Sequence, residues 1–318
     1  VKALLAAALL MVASAASGAR ADDGTARDGD GEVVEHAQLT VLPQGVAIGA
    51  VVIENLMGDL RIEGHDGDTV SIIVVKHAPD PGTLKRLRVT AVSDPDGKVR
   101  LATLLNPGAS AALHTVRMDL TILVPRNARI EGRVGSGRLE VRNVDAGADL
   151  DAGAGQILVR NVAGVVQARS LDGSQRFEEV FGSLESHAVD ADVAIDTVRG
   201  ATLTAQVYQG DIDGQRVSSR QVRMTAVRGD IRLDAEPQAG GAMMITSLRG
   251  NVDVRLRGGV GTAVQARAGG TLTMPDGATS AGERAADRWV DAQFGPRRSR
   301  ASVRIESRFG DLAFSLAQ

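Results

Sequence analysis

The sequence contains no cysteine and few aromatic side chains: one Trp, one Tyr and five Phe among 318 residues. Without cysteine there is no disulfide, no thiolate metal centre, no cysteine nucleophile and no lipid-modified N-terminal cysteine. So few aromatics leave little to stack against nucleobases or sugar rings. Neither sign of charge dominates, with 36 Lys+Arg against 39 Asp+Glu, so the basic stripe of a nucleic-acid binder is missing. No HExxH, G-x-S-x-G, P-loop or S-x-x-K motif occurs, and His36, His65, His77, His114 and His187 lack metal-ligand spacing. The expectation is therefore no catalytic residues, no cofactor, no bound metal and no nucleic-acid partner.

Long apolar runs are also scarce. The one that stands out follows Lys2 and extends from Ala3 to Ala16, with Ala19-Arg20-Ala21 supplying small residues for a cleavage site. This pattern predicts a secretory signal peptide over residues 1–21. At about fourteen residues the run falls short of the roughly 20 that a membrane-spanning helix needs. Residues 22–34 begin DDGTARDGDGE, acidic and Gly-rich without apolar periodicity, and read as a flexible leader. The expected address is outside the cytoplasm, in the periplasm or at the cell surface, with no transmembrane segment in the mature chain.

What the sequence has in quantity is glycine, 37 of them, and they fall in register. From Gly137 the chain follows a nine-residue pattern, G-x-h-x-h-x-x-h-x with h apolar, as in GRLEVRNVD, GQILVRNVA, GSLESHAVD and GATLTAQVY. The pattern resumes at Gly210, Gly241 and Gly250, and appears near both ends at Gly49, Gly58, Ala301 and Gly310. Positions three and five alternate with polar neighbours, so they share one face of a short strand. Position one is a turn that suits Gly, and position eight is expected to point inward at the next corner. So short a strand buries little alone, and successive units must stack at about 4.8 Å. The fold predicted over residues 35–318 is all-β: a single-chain β-solenoid, parallel β-helix-like, with about eighteen residues per coil.

Before Gly137, the segments TVSIIVVKHA, KRLRVTAV, KVRLATLL and VRMDLTILVP alternate β-branched residues and read as longer strands of the same stack. Residues 102–115 read as a loop with a little helix. Residues 275–300 leave the repeat; ERAADRWVDA has short-helix character and is followed by Gly295-Pro296 and a basic cluster. This excursion carries the only Trp, so Trp289, Arg297, Arg298 and Arg300 are the candidate partner contacts. The plainer alternative is that Trp289 and Phe294 fold down to flank the stack.

Four Gly-Asp steps, at Asp59, Asp211, Asp230 and Asp311, with Asn251 in an equivalent place, are the nearest thing to a chemical motif. Stacked carboxylates on one edge would suit a cation such as calcium. Gly-Asp is equally favoured in any tight turn, and the G-G-x-G-x-D calcium repeat is absent. Arg228-Gly229-Asp230 spells an adhesive tripeptide, but it straddles a repeat boundary that also reads Arg249-Gly250-Asn251. Glu140, Arg176, Glu185, Arg223, Arg232 and Asp253 alternate in sign on outward positions and read as a solvated face. Asn143 and Asn161, eighteen apart, would make a structural amide ladder between coils.

The run DLTILVPRNARIEGRVGSGRLEVRNV with its following GxIxVxNV units resembles the bacterial candidate-adhesin β-solenoid domain family, an auto-transporter-adhesin-head-like β-helix mostly of unassigned function. VVIENLMGDLRIEGHDGDTVSIIV resembles that family's opening and RASVRIESRFGDLAFSL its closing unit. The resemblance implies a β-helix in an exported or envelope setting, with no catalytic residues to carry over. The expected function is a non-enzymatic envelope or surface module binding an unknown envelope or extracellular protein or glycan. Two alternatives stand beside it. One is a polysaccharide-acting enzyme using turn aspartates; the other is a periplasmic envelope-stress or self-assembling scaffold that associates through its solenoid ends.

Overall fold

The computed structural model describes residues 26–27, 32–105, 116–258, 261–276, 280–284, 287–296 and 300–317. The signal peptide predicted over 1–21 lies outside the described residues. The contacts group into two compact units, one ending at Ala152 and the other beginning at Gly153. Both are built almost wholly of strands, as the alternation of apolar and polar residues requires.

In the N-terminal unit the strands are β1 (Ala26–Arg27), β2 (Val33–Val41), β3 (Ala50–Met57), β4 (Leu60–His65) and β5 (Val70–Ala78). A four-residue helix, α1 (Pro81–Leu84), follows; it is N-capped by Asp80, whose carboxylate accepts the Thr83 N–H at 2.9 Å. Then come β6 (Leu87–Ser93), β7 (Lys98–Leu105), β8 (Arg117–Pro125) and β9 (Arg129–Val144). The early strands are intercalated: β3 lies in parallel between β7 and β9, and β4 in parallel between β8 and β9. Antiparallel partners flank them, β6 on β7 and β2 and β8 on either side of β5. The inward positions of these strands, among them Ile53, Leu60, Ile62, Ile72, Ile122 and Leu139, are sealed from solvent. Each contributes about 1.5–3 kcal/mol by burial.

Three expectations change here. The leader predicted over 22–34 ends sooner, because Val33 and Val34 are buried in β2 and pair with β1. Residues 102–105 are strand: all four pair with β6, Ala102 also pairs with β3, and the buried Thr103 hydroxyl accepts the Leu56 N–H of β3 at 3.0 Å; residues 106–115 are outside the described residues. The strands before Gly137 do not simply extend one parallel stack, since four of the pairings are antiparallel.

The second unit contains most of β10 (Ala148–Gln209), then β11 (Ile212–Arg228), β12 (Ile231–Ala235), β13 (Ala242–Arg249) and β14 (Val252–Leu256). It continues with β15 (Thr262–Ala268), β16 (Leu272–Thr273), β17 (Ser280–Arg284), β18 (Asp287–Phe294), β19 (Ala301–Ser307) and β20 (Leu312–Leu316). Pairing is parallel with a short, regular offset. Val193 faces Ile212, Ile212 faces Ile231, and Ile231 faces Val252. The offset is thus 19 residues and then 21, slightly more than the eighteen read from the sequence. The last strands do not lie last in space. Here β19 is inserted between β13 and β15, and β20 between β14 and β16.

Successive nine-residue segments are not equivalent. Val144, Val162, Val180 and Val198, all at position eight, are fully buried, whereas Leu171 and Val189 at the same position are 64% and 47% exposed. Each buried valine follows a residue in the left-handed region: Asn143, Asn161, Glu179 and Thr197, with φ of 51–62°. That conformation reverses the strand alternation and turns the valine inward. The other corner has no such residue, and Leu171 and Val189 there face out; in GATLTAQVY the outward residue of that corner is Tyr208, one place later, and Val207 at position eight is buried. Position eight is therefore not inward at every corner.

Candidate partner surface and the aspartate ladder

Residues 280–294 form a β-hairpin rather than the short helix predicted from ERAADRWVDA. Strand β18 pairs antiparallel with both β15 and β17, and sheet pairing overrides helical propensity because Val290 and Ala292 bury against the strand face. Residues 285–286 lie outside the described residues. Phe294 turns inward to stack on Phe314, ring centroids 5.8 Å apart. Trp289, paired across from Arg267, remains 40% exposed. Arg300 closes the loop after the hairpin: its Nε donates to the Pro296 carbonyl at 3.3 Å, and its Nη1 donates to Gln293. Arg297 and Arg298 fall outside the described residues.

Trp289 and Arg300 are not brought together. Trp289 lies opposite Arg267, while Arg300 precedes Ala301, which pairs with Thr262 five residues away along β15. At about 3.3 Å per residue that is roughly 16 Å.

Three of the four Gly-Asp steps, Asp211, Asp230 and Asp311, do converge with Asn251 into a ladder on one corner of the second unit. Asp192 Oδ1 accepts the Asp211 N–H at 2.8 Å, Asp211 Oδ1 accepts the Asp230 N–H at 2.8 Å, and Asp230 Oδ1 accepts the Asn251 N–H at 2.7 Å. Asn251 Oδ1 then accepts the Asp311 N–H at 3.0 Å, and Asp311 Oδ1 accepts the Thr271 N–H at 2.7 Å. Each side chain thus satisfies the backbone donor of the neighbouring strand at the turn. In the N-terminal unit, Asp59 repeats the device: its N–H donates to Asp119 and its Oδ1 accepts the Arg138 N–H. Asp192, Asp119 and Thr271 were missed in the sequence because none follows the repeat's Gly-Asp spelling. Register in space, not spacing in sequence, reveals them.

The glycines ahead of these aspartates have a steric reason. Gly229, at φ +151°, lies directly over Gly210, and a Cβ there would be driven into the Gly210 carbonyl oxygen. The Arg228-Gly229-Asp230 tripeptide is therefore a ladder step, with both its carboxylate and its Asp N–H engaged.

The remaining charged positions are mostly paired. Glu140, read from the sequence as outward and solvated, is buried: Arg61, its register partner on β4, bonds it at 3.0 Å, and Arg142 closes on the other oxygen. Two flanking guanidinium groups make that burial tolerable. Arg176 and Arg160 both bond Glu178, and the hydrogen bond from Arg176 is the main cause holding the Glu178 carboxyl below its ordinary range. His187 bonds Glu185 at 2.8 Å and lowers that carboxyl likewise. His65 staples its own turn, contacting Thr69 O and accepting from the Gly67 N–H, each at 2.9 Å. Among the described residues no three His, Asp or Glu gather as a metal site would need. None of the described helices is long and apolar enough to cross a membrane.

A family model, Toastrack DUF4097, matches residues 89–275, well over half of the chain. The chain belongs to the Toastrack family. The resemblance read from the repeat is thereby established at family level. No curated protein matches this Toastrack chain. Among solved structures, it is similar to a candidate cell adhesion protein from Clostridium sporogenes, with 12% identity over 89% of this chain and 100% of that one, TM-score 0.28. A candidate adhesin from Bacteroides fragilis matches at 11% identity over 88% and 96% of the two chains, TM-score 0.38. A candidate lipid-binding protein from Parabacteroides distasonis matches at 9% identity over 90% and 97%, TM-score 0.41. At such scores these likenesses carry nothing about what this Toastrack chain does.

Proposed function

We propose that this Toastrack chain is an exported, non-enzymatic β-solenoid that presents a rigid, mixed-charge surface to a protein or glycan of the cell envelope or its exterior. One observation carries the reading. The turn aspartates, the nearest thing to chemistry in the sequence, are engaged in holding one strand to the next, while Glu140 lies between two arginines and His65 and His187 are held in local bonds. The solenoid itself is supported by parallel pairing at a short repeated offset in the second unit. Export is supported by the basic, apolar and small-residue order of residues 2–21.

Protease treatment of intact cells carrying a C-terminally tagged copy, with a lysed control, tests the address. Digestion on intact cells supports a surface module, digestion only after lysis a periplasmic one, and resistance only to a cytosolic fractionation control would remove export. Activity is tested separately. Acidic glycans with calcium should not be turned over, and turnover abolished by Asp211→Asn would overturn the non-enzymatic reading.

A further inference from the structure

The second corner of the repeat, where Leu171, Val189 and Tyr208 face out, carries a pattern that reads the same in reverse once its charges are inverted. Leu171, Val189 and Tyr208 stand exposed on it, and Val227 and Leu248 half-buried. Parallel register aligns them into one column: Val207 faces Ala226 and Gln209 faces Arg228, so Tyr208 lies beside Val227; Ala226 faces Ser247 and Arg228 faces Arg249, so Val227 lies beside Leu248. Gln209 reaches Asp190 by hydrogen bond, which sets Tyr208 beside Val189. The Gln167–Glu185 bond, eighteen residues apart, sets Val189 beside Leu171. Five apolar side chains thus form a ridge about 19 Å long at about 4.8 Å per strand.

The residue after each ridge position is exposed too, and in the same order these are Asp172, Asp190, Gln209, Arg228 and Arg249. The column runs from two negative charges through a neutral amide to two positive charges. Tyr208 sits at the midpoint, under the Arg228 guanidinium at 5.8 Å from the ring centroid.

We propose that this ridge is a homodimer interface in which a second copy docks antiparallel, about a two-fold axis passing beside Tyr208 and Gln209. Under that symmetry residue i meets j while j meets i. Leu171 meets Leu248 of the other copy, Val189 meets Val227, and Tyr208 meets its own counterpart. In the flanking column Asp172 meets Arg249 and Asp190 meets Arg228. A parallel arrangement, or an unrelated apolar partner, has no use for a charge order that inverts about its own centre. Charge complementarity at such a rim steers and orders the pair more than it tightens it. About ten residues a side is fewer than the roughly 20–30 of a standard interface, so the dimer is weak and exchanges.

The natural absence of cysteine makes disulfide trapping clean. A Gln209→Cys chain, oxidised in solution, should cross-link to itself. Asp172→Cys and Arg249→Cys should each stay single alone and cross-link when mixed, because each lies about 10 Å from the axis, beyond the reach of a disulfide to its own copy. Leu171→Cys cross-linking to itself would overturn the antiparallel arrangement. Sedimentation of the wild-type chain from roughly 1 μM to 1 mM should show a monomer–dimer equilibrium, and a strict monomer throughout would overturn the proposal. The pair Arg228→Glu and Arg249→Glu should weaken dimerisation at least about tenfold. Mixing that variant with Asp172→Arg plus Asp190→Arg should restore it, which no folding defect would do.

Discussion

The aspartate ladder makes a prediction that separates a structural carboxylate from a metal-binding or catalytic one. At Asp230 one carboxylate oxygen accepts the Asn251 N–H at 2.7 Å, and the other lies 3.9 Å from the exposed Arg232 guanidinium, a pairing worth little. Asn supplies the same oxygen, and the chain already uses Asn251 in the next step of the same ladder. Asp230→Asn should therefore cost little, within about 0.5 kcal/mol. Asp230→Ala removes the acceptor and leaves one N–H at an exposed corner that water can reach. A bond to a charged acceptor is worth about 1.5–3 kcal/mol; exposure argues for the bottom of that range, at most about 1.5 kcal/mol. For a unit of this size that is a fall in Tm of roughly 3–6 °C. Thermal melts followed by far-ultraviolet circular dichroism measure both variants side by side. Equal damage from Asn and Ala would refute the ladder as the reason for Gly-Asp, since it would mean that the charge, not the oxygen, is what the corner needs.

Gly229→Ala, which drives a methyl into the Gly210 carbonyl at φ +151°, should cost more than about 3 kcal/mol, read as a collapse of the same melt. Thr197 is a β-branched residue held at φ +62°, in the column where Asn143 and Asn161 sit; Thr197→Asn should stabilise by about 1 kcal/mol, read as a higher midpoint in urea unfolding. Glu178 is held below its ordinary value chiefly by Arg176, so its contribution is complete above the ordinary glutamate range and is lost as pH falls through the depressed folded value. Acid titration of stability should accordingly lose steepness in that acidic window in Glu178→Gln, and an unchanged profile would show the pairing to be idle.

Why some of this was readable and some was not follows from which physics acts locally. Strand faces are set by alternation within a few residues, so Ile62, Val74, Ile122 and Val159 could be placed inward from sequence alone, and they are buried. The inequivalence of the two corners was not readable, because GQILVRNVA and GVVQARSLD share the same apolar pattern. What separates them is the left-handed Asn161, and Glu179 and Thr197 adopt the same conformation without any residue preference that announces it. The hairpin at 280–294 was misread for a related reason. ERAADRWVDA has helical residues, but the open edge of β15 offers pairing that a short isolated helix cannot match. The buried Glu140 likewise depended on Arg61, distant in sequence and adjacent only through the β4–β9 register.

The intercalation of the C-terminal strands has a consequence for how the second unit is assembled. In a stack laid down in sequence order, deleting the last repeat removes one neighbour interface and leaves the rest standing. Here β19 pairs on one side with β13 and on the other with β15, so deleting residues 301–318 opens a gap inside the sheet. The deletion also removes Val303, Ile305, Leu312 and Phe314, each at most 2% exposed. At about 1.5–3 kcal/mol apiece their burial amounts to roughly 6–12 kcal/mol, comparable to the whole stability of a typical domain. A chain ending at Arg300 should therefore fail to show the cooperative melt of the full protein and should be cut rapidly by protease near β15 and the hairpin. A synthetic peptide of residues 300–318, added during refolding, should fill the gap and restore resistance, since two strands with unpaired edges stand ready to receive it. A truncated chain that melts as the full chain does would mean that the last strands only decorate an edge, and the intercalated order would be wrong.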